Sequence, residues 1–132
     1  MPARPSLRWT TITVDCADAE ALGAFYSELF GWEITARDGA GWLQLRNPDG
    51  GISISVQAEV AYAPPIWPDE SGMQAKMMHF EVLVDDLEAA VGFVLERGGT
   101  QAPHQPADRD PRVLRIMLDP AGHPFCLFVE GE

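Results

Sequence analysis

His79 and Glu81 stand two positions apart in the run His79-Phe80-Glu81-Val82-Leu83-Val84, whose alternation reads as a strand, so both side chains leave one face. An imidazole beside a carboxylate is a general acid–base combination, and this pair is the candidate catalytic set. The same two groups also fit a structural reading, in which they hydrogen-bond to each other or to Thr11 and Thr13 on an earlier strand. Cys126 could act as a nucleophile only with a lowered pKa and a neighbouring base. Followed by Leu127-Phe128-Val129 in an expected strand, it reads better as a small core residue. Trp9 and Trp42 come from expected strands and Trp67 from a proline-rich segment; with Phe128 these rings could line a pocket for a flat apolar ligand. The candidate ligand-binding set is therefore Thr11, Thr13, Trp42, Trp67, Cys126 and Phe128. His123 follows a glycine in a tight turn and is expected to serve that turn; His104 lies in a loop and receives no role. Trp32, at a helix exit, is expected in the core.

The elements that must position these residues occur twice. Placing Asp18 on Asp86 also aligns Glu20 with Glu88, Phe25 with Phe93, Glu28 with Glu96 and Gly31 with Gly99, a shift of 68. Later, Asn47-Pro48-Asp49-Gly50 falls on Asp119-Pro120-Ala121-Gly122, a shift of 72. Each unit opens on a strand, Thr10 to Val14 or His79 to Val84. Asp18 or Asp86 then stands as N-cap, with Glu two residues later at the positive end of a helix. Gly31 and Gly98-Gly99 close the helices. Three short strands follow in each unit: Trp32 to Thr35, Gly41 to Arg46 and Ile52 to Gln57, then Thr100 to Ala102, Val113 to Leu118 and Phe125 to Glu130. Pro and Gly form the turns before the last strands. Each unit thus reads β-α-β-β-β, an α+β pattern. The expected organisation is one domain, residues 1–132, made of modules 7–57 and 77–130 joined by the connection 58–76. Its Ala63-Pro64-Pro65-Ile66-Trp67-Pro68 run suits neither a helix nor a central strand.

With 46% apolar and 22% charged residues the chain has ordinary globular composition, and its 132 residues can bury a core without disulfides. No apolar run is long enough to cross a bilayer. The opening MPARPSLRW carries two arginines but no apolar stretch after them, so a cytoplasmic location is expected. Two cysteines without a C-x-x-C pattern read as free thiols. Twenty acidic against nine basic residues give a net charge of −11, which repels nucleic-acid backbones and anionic membranes.

The paired βαβββ units, the V-D-x-x-D-x-E-A start, the F-Y-x-x-x-x-G-W helix exit and the closing D-P-A-G-H-P-F-C-L run resemble the vicinal oxygen chelate superfamily. This is the group of glyoxalase I, bleomycin-resistance proteins and extradiol dioxygenases. The P-x-W-P loop and the H-F-x-x-x-V-D-D-L strand are most similar to the glyoxalase-like domain proteins common in bacteria. The likeness runs from Leu7 to Glu130. It implies two modules forming a cupped mixed sheet, and a homodimer.

In metal-dependent members of that superfamily each module offers two ligands, one from its first strand and one from its last. The corresponding positions here are Thr11 and His79 on the first strands. On the last strands they are Cys126, where the family pattern has Glu, and Ile54, or Ser53 or Ser55 if the turns differ by one residue. One good ligand among four does not make a divalent-metal centre, so no metal or other cofactor is expected. The leading expectation is a glyoxalase-like protein that binds a small organic molecule in an apolar, Trp-lined cavity, as bleomycin-resistance-type members sequester theirs. The alternative is a lyase or dioxygenase-type enzyme using His79 and Glu81, metal-free or with an unusual metal site.

Overall fold

The computed structural model describes residues 4–130. Its order is β1 (Thr11–Cys16), α1 (Ala19–Phe30), β2 (Ile34–Asp38), β3 (Trp42–Leu45), β4 (Ser53–Ala58), then β5 (Phe80–Leu83), α2 (Leu87–Glu96), β6 (Thr100–Gln101), β7 (Leu114–Leu118) and β8 (Pro124–Phe128). The β-α-β-β-β pattern therefore occurs twice, in an α+β fold. Each repeat forms its own four-stranded mixed sheet, ordered β1-β4-β3-β2 and β5-β8-β7-β6. Within each, the first and last strands pair in parallel and the remaining pairs are antiparallel.

Both helices start where the sequence places them. Asp18 and Asp86 adopt extended backbone, and their carboxylates accept from the Ala21 and Ala89 N–H groups at 3.1 Å. These bonds satisfy donors that a first helical turn leaves open. Gly31 ends α1 in the left-handed region, φ 71°, its N–H donating to the Ser27 carbonyl. Gly23 lets α1 lie close on β3, since a Cβ there would sit 2.5 Å from a Leu43 methyl.

Along each sheet the strand period of two sends alternate residues into one core. Leu43, Leu45 and Val56 come from the first sheet and Met117, Phe125 and Leu127 from the second; Leu22, Phe25, Tyr26, Val91 and Val94 come from the helices. Phe25 meets Phe125 edge-on at 6.2 Å and Tyr26 meets Phe80 at 5.7 Å, so α1 bridges to the second sheet. Trp32 packs against this core, as expected. A smaller cluster of Ala102, Ile116 and Cys126 lies on another part of the second sheet, with Trp67 packed against it.

The pairing registers define the pseudo-symmetry. Thr13 sits opposite Ser55 as Glu81 sits opposite Cys126, so the residue equivalent to Cys126 is Ser55, a shift of 71. The first module has one more residue between its turn and its last strand, and Ile54 is thereby rotated to the other face. No helix among the described residues is long and apolar enough to cross a membrane.

Candidate functional site

The sequence-predicted residues do not converge on one point. Glu81 faces Cys126 across the β5–β8 register, and the Trp67 ring packs on the cluster containing Cys126. The Lys76 ammonium lies 4.1 Å from the Trp67 ring centre and 3.8 Å from Asp69. Trp67, expected to line a pocket, packs on the second sheet, its indole N–H donating to the His104 carbonyl at 3.2 Å. Burial raises the Cys126 thiol pKa, with the Glu81 charge adding to it and Lys76 opposing. That direction runs against the lowered pKa a thiol nucleophile needs.

His79 immediately precedes β5 and, like Glu81, is exposed. Among the described residues neither side chain makes a hydrogen bond, so the bonds expected to Thr11 and Thr13 are not formed. The Thr11 hydroxyl instead meets the Ser55 hydroxyl at 2.7 Å and donates to the Ser53 carbonyl at 3.2 Å. Trp42 lies opposite Gln57 on β4 and Asp38 on β2, and Phe128 opposite Leu83 and Leu114. Trp9 precedes β1 rather than belonging to a strand and is 66% exposed. Trp67 and, through its partner Leu114, Phe128 lie on the Cys126 side of the second sheet, while Trp42 stands on the first sheet.

The four positions at which the superfamily likeness implies a metal carry Thr11, Ser55, His79 and Cys126. Two hydroxyls bonded to each other, one imidazole and one buried thiol do not fit a divalent ion that needs three or more His or carboxylate ligands. Among the described residues no three His, Cys, Asp or Glu side chains are grouped to hold one.

A cavity of mixed chemistry lies along β1 and the approach to β5. Among the described residues neither strand has a second hydrogen-bonded neighbour, so this edge is left to side chains and to the connection. The space measures about 490 Å³. Ile12, Val14, Pro65, Met77, Met78 and Phe80 supply apolar wall, and Thr13, Tyr62, His79 and His123 supply polar groups. Of the predicted site residues, Thr13 and His79 line it; Thr11, Trp42, Trp67, Glu81, Cys126 and Phe128 do not.

Behind its polar wall stands a carboxylate that is 3% exposed, Asp119. Its Oδ1 accepts from the backbone N–H of Ala121 at 2.9 Å and of His123 at 3.0 Å. Its Oδ2 accepts from the Tyr26 hydroxyl at 2.6 Å and from His123 Nδ1 at 2.8 Å. A carboxylate can only accept here, so Nδ1 carries the proton and Nε2 is left facing the Tyr62 hydroxyl at 3.2 Å. That hydroxyl also reaches the Ala121 carbonyl at 2.7 Å. Burial, then the Asp119 charge, hold the Tyr26 phenol far above its ordinary pKa. Tyr62 is raised as well, by burial first and then by Asp119, Cys16 and Asp15.

His123 does serve its turn, and it also extends the turn carboxylate to the cavity. Sequence reasoning missed this network because its members come from α1, the connection and the β7–β8 turn. One signal was available: Tyr26 follows Phe25 on the buried stripe of α1, and a buried tyrosine hydroxyl requires a partner.

Comparison with known proteins adds the following. Residues 11–128 match the model of a family described as a glyoxalase-like domain. No curated protein matches at a significant level. A glyoxalase/bleomycin resistance protein/dioxygenase family enzyme from Burkholderia phytofirmans PsJN superposes with a TM-score of 0.65 at 21% identity, over 91% of this chain and 96% of that one. A glyoxalase-related enzyme from Fulvimarina pelagi gives 0.65 at 21% identity, over 93% and 88%. TnmS3, an antibiotic binding protein from Streptomyces sp. CB03234, gives 0.60 at 19% identity, over 98% and 100%. At these identities the likeness is one of fold.

Proposed function

Since this chain belongs to the glyoxalase-like domain family, with residues 11–128 matching its model, we propose that it binds a small, largely apolar organic molecule in the cavity along β1 and β5, to sequester or sense it. The observation that carries this reading is the cavity's make-up. At about 490 Å³ it falls within the roughly 300–1,000 Å³ of small-molecule sites. Met77, Met78 and Phe80 offer polarisable and aromatic surface to a flat ring, while Thr13, Tyr62 and His123 can fix a polar substituent. The antibiotic binding protein of similar fold supports the same direction. Residues fitted to chelate a metal are missing from the family's positions, so no step of this reading passes through one. Homodimer assembly and a cytoplasmic location, as expected from the sequence, stay part of the proposal; sedimentation velocity tests the former.

A thermal-shift screen with aromatic and antibiotic compounds tests the reading. A ligand present at a hundred times its Kd raises stability by about 2.7 kcal/mol. The expected result is at least one compound that lifts the melting temperature with saturation. A broad screen with no such compound would count against binding as the function.

A further inference from the structure

The sulfur atoms of this chain are divided between core and surface. Met117, on β7, is fully buried, whereas Met73, Met77 and Met78, between β4 and β5, are 52%, 87% and 72% exposed. Met77 and Met78 also line the cavity along β1, together with Pro65 and Phe80. Two thioethers are therefore open to solvent and belong to the wall that an apolar ligand would cover. The thiols are placed the opposite way. Cys16 and Cys126 are both buried, and burial is the first cause that raises each above its ordinary pKa. The thiolate that peroxides attack is thus disfavoured in the folded chain, and the sulfur chemistry within reach of solvent is that of methionine.

We propose that Met77 and Met78 are oxidation sites at which hydrogen peroxide lowers the cavity's affinity for apolar ligands. The inference rests on the binding reading of the same cavity. A sulfur lone pair attacks one peroxide oxygen, so the S–O bond forms as the O–O bond breaks. The proton on the attacked oxygen passes to the departing hydroxide, which leaves as water. Sulfur is oxidised by two electrons and the peroxide reduced by two, so the step balances with peroxide as its one co-reactant. The product is a sulfoxide, which methionine sulfoxide reductases return to the thioether.

The effect on binding follows from solvation. A thioether is an apolar, polarisable surface for a ring. A sulfoxide oxygen is a polar acceptor that water solvates in the free protein; a ring seated on it removes that water and offers no donor in return, which costs free energy. Met73 is exposed but does not line the cavity, so its oxidation should leave binding alone. Met117 should react last, because the folded core covers it.

The test titrates N-phenyl-1-naphthylamine, a neutral aromatic dye, into the chain before and after treatment with hydrogen peroxide, while peptide mass spectrometry locates the added oxygen. The part of the signal scored is the part lost in Ala63→Trp, which fills the cavity. The expected result is oxygen at Met77 and Met78 well before Met117, dye binding about tenfold weaker, and recovery after methionine sulfoxide reductases with dithiothreitol. In the double variant Met77→Leu, Met78→Leu, peroxide should not change the affinity from that variant's own untreated value. Should the double variant fail to bind the dye, recovery by the reductases alone carries the comparison. Sulfoxide at both positions with undiminished binding, a loss that the reductases do not reverse or that persists in the double variant, or Met77 and Met78 reacting no faster than Met117 overturns the inference and leaves the binding reading standing. No cavity binding of the dye by the untreated chain overturns the inference and also counts against the binding reading.

Discussion

Replacing Tyr26 by Phe deletes one hydroxyl and leaves the ring packed against Phe25, Phe30 and Phe80. The deleted bond, 2.6 Å to Asp119, joins residues 93 apart in sequence and links α1 to the β7–β8 turn. A hydrogen bond to a buried charge contributes about 1.5–3 kcal/mol. Asp119 keeps the two backbone N–H groups and His123, so the remaining carboxylate is under-bonded rather than isolated. A loss of about 2 kcal/mol is expected. With an unfolding entropy of about 2.1 cal/mol/K per residue, the 132-residue chain has about 0.28 kcal/mol/K in total, and the melting temperature should fall by about 7 °C. Urea unfolding with unchanged m, alongside calorimetric melting, measures both. A loss below about 0.5 kcal/mol would refute the reasoning, because it would mean that the carboxylate does not depend on this donor in the folded state.

Gly99→Ala should cost about 1–3 kcal/mol by overpacking, since its Cβ would lie 2.4 Å from a Val94 methyl and 3.1 Å from the Leu118 carbonyl oxygen; melting temperature reports it. Alkaline pH should destabilise the protein. Burial, then Asp119, push the Cys16 thiol up to about 11 and raise Tyr26 and Tyr62, whereas the unfolded chain titrates at the ordinary 9.0 and 10.0. The native state then holds more protons than the unfolded one, so stability is full below pH about 9 and declines above it, and Cys16→Ala should flatten the first part of that decline in urea titrations. Incubation with Ni, Zn, Mn or Fe(II) should leave metal well below stoichiometric by elemental mass spectrometry, and His79→Ala should not alter it. Near-stoichiometric metal that the variant loses would contradict the ligand assignment.

The fold was legible because its signals are local and repeated. Asp18 and Asp86 cap helices, Gly31 and Gly98 take positive φ, and Gly50 and Gly122 do so in the matched turns. Strand limits shifted by up to three residues, the largest at the end of β2, and the register assigned to β4 moved from Ile54 to Ser55, because turn length is not encoded by alternation. The site was less legible. His79 and Thr13 reach the cavity, yet Trp67 packs onto the sheet, since a proline-rich segment fixes its own path without revealing where that path leads. Tyr26, Tyr62, Asp119 and His123 look unremarkable one by one. They become a network only when α1, the connection and the β7–β8 turn meet around one buried carboxylate.

The most direct measurement of the central claim is isothermal titration calorimetry of a screening hit against the native chain and against Ala63→Trp, which places an indole in the cavity. The account predicts saturable binding with a negative heat-capacity change, abolished in a variant that still melts cooperatively. Undiminished binding to the filled variant would contradict it and move the functional surface away from β1 and β5.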